Sequence, residues 1–150
     1  MKLRYERAYR ISCVVAVIGL LGVGMVNGAE RDPMPPRVPG GELAAAQKMA
    51  NPVPSSADSI AKGKVLYEGK GACNKCHGPK GVGDGPLGKP LKPSPRNLSN
   101  GAWQKARTDG EMFWVIKNGS PGTGMVSMIP SDVTEEEAWI IINYVRTLAQ

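Results

Sequence analysis

Apolar residues recur at helical spacing in three segments of the chain, with polar residues between them. The segments are residues 59–69 (SIAKGKVLYEG), 108–119 (TDGEMFWVIKNG) and 134–148. Apolar side chains at intervals of three and four positions share one face of a helix, so each segment predicts an amphipathic helix. No segment shows the alternation typical of a strand, and the pattern therefore predicts an all-α domain.

The ends of these helices carry capping signals. Thr134 and Glu137 have the spacing of a capping box, and Gly119 can adopt the left-handed conformation that ends a helix. Gly63 lies inside the first helix, where glycine lowers helix stability and often marks the close approach of another element. The other two helices are each expected to begin at one of two polar residues: Asp58 or Ser59, and Thr108 or Asp109.

Long loops rich in glycine and proline connect the helices. Residues 78–102 form one predicted loop, and residues 120–133 (SPGTGMVSMIPSDV) form a second. Three short helices and a single phenylalanine supply few side chains for a core. Because domains with so small a core usually depend on a disulfide, a metal or a cofactor, we expect such a group here.

The N-terminal part of the chain differs in composition from the predicted domain at residues 59–150. Residues 1–29 combine a basic start, an apolar run at residues 11–26 and small residues near position 28, which is the pattern of a secretory signal peptide. As a helix this run would span roughly 24 Å, less than a hydrocarbon core of roughly 30 Å. Cleavage is our first interpretation, and an uncleaved membrane anchor is the alternative. Residues 30–58 contain six of the thirteen prolines and predict a linker or wrapping arm with one short helix.

Charge is distributed unevenly along the chain. Without residues 1–29 the formal net charge of +6 falls by three, which gives little reason to expect a nucleic-acid partner. Residues 59–120 hold eleven Lys and Arg against four acids, whereas residues 121–150 are net acidic. The basic segment is either ordinary solvated surface or a face that steers an acidic partner.

Cys73, Cys76 and His77 lie within five residues, although the chain has only three cysteines and one histidine. A structural zinc site needs four ligands, and only these three remain if Cys13 leaves with the signal peptide. A thioredoxin-like dithiol requires a βαβ pattern that the chain lacks. A plain disulfide would leave His77 unexplained. Cys-x-x-Cys-His is the signature for attachment of c-type haem, with two thioether bonds and a histidine on the iron, and we favour this interpretation.

The chain resembles the small monohaem class I cytochromes c from about residue 59 to residue 148. The matching stretches are GKVLYEGKGACNKCHGPKGVGDGP, VIKNGSPGTGM and EEEAWIIINYVRTL. The resemblance implies an all-α class I cytochrome c fold, with three main helices and long loops wrapped around one covalently attached haem c with its iron. It also implies that the first and last helices cross near the haem, where Gly63 and Tyr144 would meet.

The loop at residues 120–133 is expected to supply the second axial ligand of the iron. A single histidine excludes bis-histidine ligation within one molecule, and a methionine thioether can bind the opposite face. PGTGM matches the ligand loop of the family and implies Met125. In many relatives a proline follows the ligand directly, but here it comes only after Met128, which stays an alternative. The family binds the histidine N–H with the carbonyl of a loop proline, which implies Pro86 or else Pro95.

Together these features predict a periplasmic, non-enzymatic protein that carries single electrons between redox partners. Lysines at positions 70, 75, 80 and 89 would orient a partner with an acidic docking surface over a small interface. One alternative is the haem subunit of a membrane-bound or periplasmic oxidoreductase. Another is a five-coordinate iron that binds a small ligand, although no distal His or Arg is evident.

Overall fold

The computed structural model describes residues 35–150, and this part of the chain contains six helices and no strand. The helices are α1 (Gly40–Lys48), α2 (Ala57–Glu68), α3 (Asn74–His77), α4 (Gly101–Ala106), α5 (Asp109–Asn118) and α6 (Glu135–Arg146). The three predicted main helices correspond to α2, α5 and α6. The predicted signal peptide and its apolar run lie outside the described residues. Between residues 35 and 150, no helix is long and apolar enough to cross a bilayer.

All three main helices begin with reciprocal capping bonds. In α6 the predicted box is confirmed, since Thr134 Oγ1 accepts from the Glu137 N–H at 3.2 Å and the Glu137 carboxylate accepts from the Thr134 N–H at 2.8 Å. In α5 the cap is Thr108, and Glu111 completes a second box that the sequence reasoning had not identified.

Helix α2 begins earlier than expected. Its N-cap is Ser56, so the expected starts at Asp58 and Ser59 were wrong by two to three residues. The Ser56 and Ser59 hydroxyls each accept a hydrogen bond from the backbone N–H of the other residue, at 3.1 and 2.9 Å. A serine in the third position thus takes the place that a glutamate usually has in a capping box.

Helices α2 and α6 cross in close contact at a glycine. A Cβ atom at Gly63 would collide with the Ile140 carbonyl oxygen and would lie 2.8 Å from Tyr144 Cβ. The predicted meeting of Gly63 with Tyr144 is therefore confirmed. One turn along α2, the Tyr67 and Tyr144 rings pack edge to face with centroids 5.3 Å apart.

The core lies mainly between α2, α5 and α6. Helix α6 buries an almost continuous run from Ala138 to Val145, and the Trp139 ring stacks on Phe113 of α5 at 4.1 Å. The segment that was expected to be one loop, residues 78–102, ends instead at α4. Asn100 begins this helix because its side-chain oxygen accepts from the Trp103 N–H at 2.9 Å.

Candidate functional site

The Cys-x-x-Cys-His segment forms a short helix of its own. Cys73 is the N-cap of α3, and its carbonyl oxygen accepts from the backbone N–H of Cys76 at 3.2 Å and of His77 at 2.9 Å. Gly78 ends the helix with φ of +77°, a conformation that glycine adopts without strain. Both thiols are free, and all three side chains line one cavity.

A buried tyrosine supports this segment from α2. The Tyr67 side chain is fully buried, and its hydroxyl donates a 2.8 Å hydrogen bond to the Gly78 carbonyl oxygen. Burial raises the pKa of Tyr67 well above its usual value, so the hydroxyl keeps its proton and remains a donor.

The imidazole of His77 is oriented by a backbone carbonyl. Nδ1 lies 2.9 Å from the Arg96 carbonyl oxygen, which fixes Nδ1 as the protonated nitrogen and leaves Nε2 with a free lone pair. Burial lowers the pKa of His77, although the bond to Arg96 opposes this shift. A neutral imidazole with a free nitrogen is the form that binds metals.

The acceptor for His77 is neither of the two expected prolines. Pro86 is exposed in the turn outside α3, and the Pro95 carbonyl faces Gly83, where a Cβ atom would lie 2.7 Å from its oxygen. The Arg96 carbonyl bonds to the imidazole instead. Both expected prolines lie in the same loop as Arg96, but the first candidate, Pro86, is ten positions before it and the second, Pro95, is one position before it.

Met125 and Met128 both line the same cavity as His77, so the structure brings together all the predicted site residues. The Met128 backbone is held on both sides, because its N–H donates to the Ile116 carbonyl at 2.9 Å and its carbonyl accepts from Val133 at 3.0 Å. The Met125 carbonyl accepts from the Ser120 N–H at 2.8 Å. Met128 also packs against the hydrophobic core. We name residues 73–77 with Arg96 the histidine wall, and residues 120–133 the methionine wall.

Between these walls lies a cavity of about 290 Å³ with a mainly apolar lining. The apolar side chains that face it include Tyr67, Leu87, Leu91, Leu98, Trp103, Met112, Ile116, Ile141 and Ile142. Trp103 is buried among them. A cavity of this size with a few convergent polar groups is typical of a cofactor site.

Cationic side chains interrupt the apolar lining. The cavity is lined by Arg96 and Arg107, and burial together with the nearby Arg107 charge lowers the pKa of Arg96 to about 10. The one acid in the lining is Glu111, whose carboxylate is 2.6 Å from the Arg107 guanidinium. Two neighbouring guanidinium groups facing one carboxylate favour an anionic ligand group in the cavity.

The residues present fit an iron porphyrin with anionic side groups. They supply two free thiols for thioether bonds, a neutral imidazole, two methionine side chains in the same cavity lining and apolar side chains for a flat ring. Burial raises the pKa of Cys73 to about 12, so this thiol is protonated at neutral pH. Within residues 35–150, no cluster of three or more His, Cys, Asp or Glu could hold a metal ion by itself.

Two residues that face the cavity come from the N-terminal arm and were not predicted as part of the site. They are Arg37 and Val38. No local pattern marks them as site residues, because they lie in a proline-rich segment about forty residues before His77 and reach the cavity only through tertiary packing.

Comparison with known proteins places the chain among c-type cytochromes. The family model described as cytochrome C oxidase, cbb3-type, subunit III matches residues 58–145. A comparison with curated proteins found no match.

Three solved structures are similar to the chain. A chain of the reducing HAO-like protein complex of Kuenenia stuttgartiensis is 28% identical with a TM-score of 0.57, over 66% of this chain and 47% of that chain. Cytochrome CL of the marine methylotrophic bacterium Methylophaga aminisulfidivorans MPT is 22% identical, with a TM-score of 0.49 over 73% and 63% of the two chains. A further c-type cytochrome is 26% identical, with a TM-score of 0.45 over 59% and 98%. The chain thus spans about half the length of the first of these relatives.

Proposed function

The chain belongs to the cytochrome C oxidase, cbb3-type, subunit III family of c-type cytochrome domains, and on that premise we propose that it is a periplasmic carrier of single electrons with a His/Met-ligated haem. It is an electron-transfer domain with the all-α cytochrome c fold, and its homologues bind covalently attached haem c with iron. The periplasmic location is supported by the pattern of residues 1–29, which favours export. We also propose that the cytochrome domain extends over residues 59–150.

One observation carries the proposed ligation: His77 and the two methionines line one cavity together with both free thiols. When bound, the haem supplies one-electron chemistry at its iron. Cys73 and Cys76 would hold it by thioether bonds, and His77 would ligate the iron through Nε2. Met125 would provide the opposite ligand, and a thioether there raises the reduction potential. The mainly apolar lining would limit contact between the bound haem and water.

Exposed lysines surround the motif. Lys70, Lys75, Lys80 and Lys89 are exposed, and Lys75 also lines the cavity. Lys70 pairs with Glu137 at 2.7 Å, so part of its charge is already balanced within the chain. We infer that the remaining lysines attract a redox partner with an acidic docking surface in a brief, salt-sensitive encounter.

A second function is favoured by the comparisons. The family description names an oxidase subunit, and the similar chain from Kuenenia stuttgartiensis belongs to a protein complex. The alternative is therefore a haem subunit held in an oxidoreductase complex. Purification from native membranes separates the two functions, because a subunit co-purifies with fixed partners in detergent and a free carrier does not.

The proposal is tested by a mediator titration of the purified holoprotein, followed by optical spectroscopy, together with its intact mass. We expect the mass of the polypeptide plus one haem, a low-spin spectrum with methionine ligation and a single one-electron transition. Fast binding of carbon monoxide by the reduced protein would instead indicate a five-coordinate iron. A colourless protein with the mass of the bare chain would contradict the whole proposal.

A further inference from the structure

The N-terminal arm, residues 35–56, is a part of the folded domain. It precedes the region that the family model matches, which begins at residue 58. Its helix α1 packs along α5, and the arm then runs on to α2.

An apolar cluster fixes the first turn of the arm next to the cavity. Val38 is 4% exposed, Ala46 is 1% exposed, and both pack against Trp114 of α5. The Trp114 Nε1–H donates to the Glu42 carboxylate at 2.7 Å. Buried packing and a charge-assisted hydrogen bond thus hold the residue that follows Arg37 in a defined place.

The other end of the arm is held by hydrogen bonds between the partly buried amide of Asn51 and the buried amide of Asn143. The Asn51 side chain donates to the Trp139 carbonyl at 3.2 Å and to Asn143 Oδ1 at 2.9 Å. In return, Asn143 donates to the Val53 carbonyl at 3.2 Å. At Gly110 of α5 a Cβ atom would lie 2.7 Å from the Met49 carbonyl oxygen, so the arm packs directly on this helix. These contacts are those of a structural element and not of a flexible tether.

The position of the arm gives Arg37 a role at the cavity. Arg37 and Val38 line it, and Val38 also packs near Val115, which lines the same cavity on α5. The lining already contains Arg96 and Arg107, with Glu111 as its one carboxylate. Arg37 therefore adds a positive charge to a site with an excess of cations, and a ligand with carboxylates of its own would balance that charge.

We propose that the N-terminal arm is part of the haem site and that the Arg37 guanidinium interacts with the carboxylates of the haem. This inference rests on the proposed function, since it needs haem in the cavity. A positive charge at this place favours the ferrous over the ferric state, because the ferrous site carries one positive charge less. Arg37 is thus a positioning and electrostatic residue of the cofactor site.

The test compares three variants of the full-length holoprotein: Arg37→Gln, Arg37→Lys and Lys48→Gln. Lys48 is a matched control, because it is an exposed cation on the same arm and does not line the cavity. At the midpoint potential of the unchanged protein, we expect Arg37→Gln to lower the ferrous-to-ferric ratio about threefold. This corresponds to about 28 mV at 59 mV per tenfold for one electron. Arg37→Lys should stay near the original ratio, and Lys48→Gln should change it by much less.

Each result separates the inference from the proposed function. Equal ratios for Arg37→Gln and Lys48→Gln, in proteins with full haem content, would overturn the inference and leave the electron carrier intact. A ratio that is lowered by Arg37→Gln and kept near the original by Arg37→Lys would support it, because lysine retains the positive charge of this exposed residue. If the protein without any substitution contained no haem, both the proposed function and the inference would be refuted.

Discussion

The histidine wall and the methionine wall line the same cavity, but they are built in different ways. Five consecutive residues, 73–77, supply the thiols and the imidazole, and one carbonyl from Arg96 orients the ring. The methionine wall is a loop without a helix between α5 and α6, and bonds from Met128 and Ser127 to the carbonyls of Ile116 and Lys117 hold it to α5. One wall is encoded locally and the other depends on the elements around it.

We infer that the histidine wall attaches the cofactor, whereas the methionine wall tunes its reduction potential. The histidine wall determines which cofactor binds, because it would form two covalent bonds to it and presents one fixed imidazole. The methionine wall offers two sulfurs three residues apart, and the identity of the axial ligand is a principal control on the reduction potential of haem. We therefore expect substitutions in the first wall to remove the cofactor, and substitutions in the second to change its spectrum and potential.

The largest effect is expected from the double substitution Cys73→Ala and Cys76→Ala. Without both thiols no thioether bond forms, and the small core loses the group around which its loops pack. We expect a chain with the mass of the bare polypeptide and no cooperative thermal unfolding, measured by mass spectrometry and circular dichroism. Cys13→Ala is the matched control and should retain covalent haem. Haem retained in the double variant under denaturing conditions would contradict the assigned attachment.

The second-largest effect is expected from substitution of the methionine that ligates the iron, and it would show which of the two methionines this is. Both methionines are bonded at their backbone N–H and carbonyl groups. Only Met128 also packs against the core, which favours Met125 as the ligand. We expect Met125→Ala to abolish the low-spin His/Met spectrum and to lower the reduction potential by about 100 mV or more, since axial ligands set haem potentials over roughly 0.8 V.

Met128→Ala is the control for this prediction. It should keep the spectrum and lower only the thermal stability, by about 2 kcal/mol for a partly buried methionine. The reverse outcome, in which only Met128→Ala removes the His/Met spectrum, would assign the ligand to Met128.

Local signals in the sequence were sufficient to predict much of the fold. The capping box at Thr134, the apolar faces of three helices and Gly63 at the helix crossing all depend on short-range patterns or on the steric need for glycine. The start of α2 was missed because Ser59 acts as the reciprocal partner of Ser56, although glutamate or glutamine is the usual residue there. Helix α4 was missed because a glycine- and proline-rich stretch runs into it.

The candidate site was predictable only where its chemistry is local. Cys73, Cys76 and His77 form a motif, and the methionine loop follows from the family resemblance. The acceptor for His77 was misplaced because one residue in an irregular loop decides which carbonyl faces the ring. Arg37 could not be found from sequence, since its place depends on Val38 packing against α5.

The smallest effect concerns the support of the histidine wall by α2. Tyr67→Phe removes the hydrogen bond from the buried hydroxyl to the Gly78 carbonyl and leaves that carbonyl without its donor. Such a loss costs about 1 kcal/mol, which lowers the melting temperature of a domain of this size by about 4 °C. Because the bond acts on the backbone after His77 and not on the methionine wall, the oxidised protein should still show the spectrum of a methionine-ligated haem.

The matched control is Tyr144→Phe, which removes a hydroxyl from the neighbouring ring but leaves the bond to Gly78 intact. Equal losses of stability in both variants, measured by thermal denaturation, would show that general packing and not this bond supports the wall.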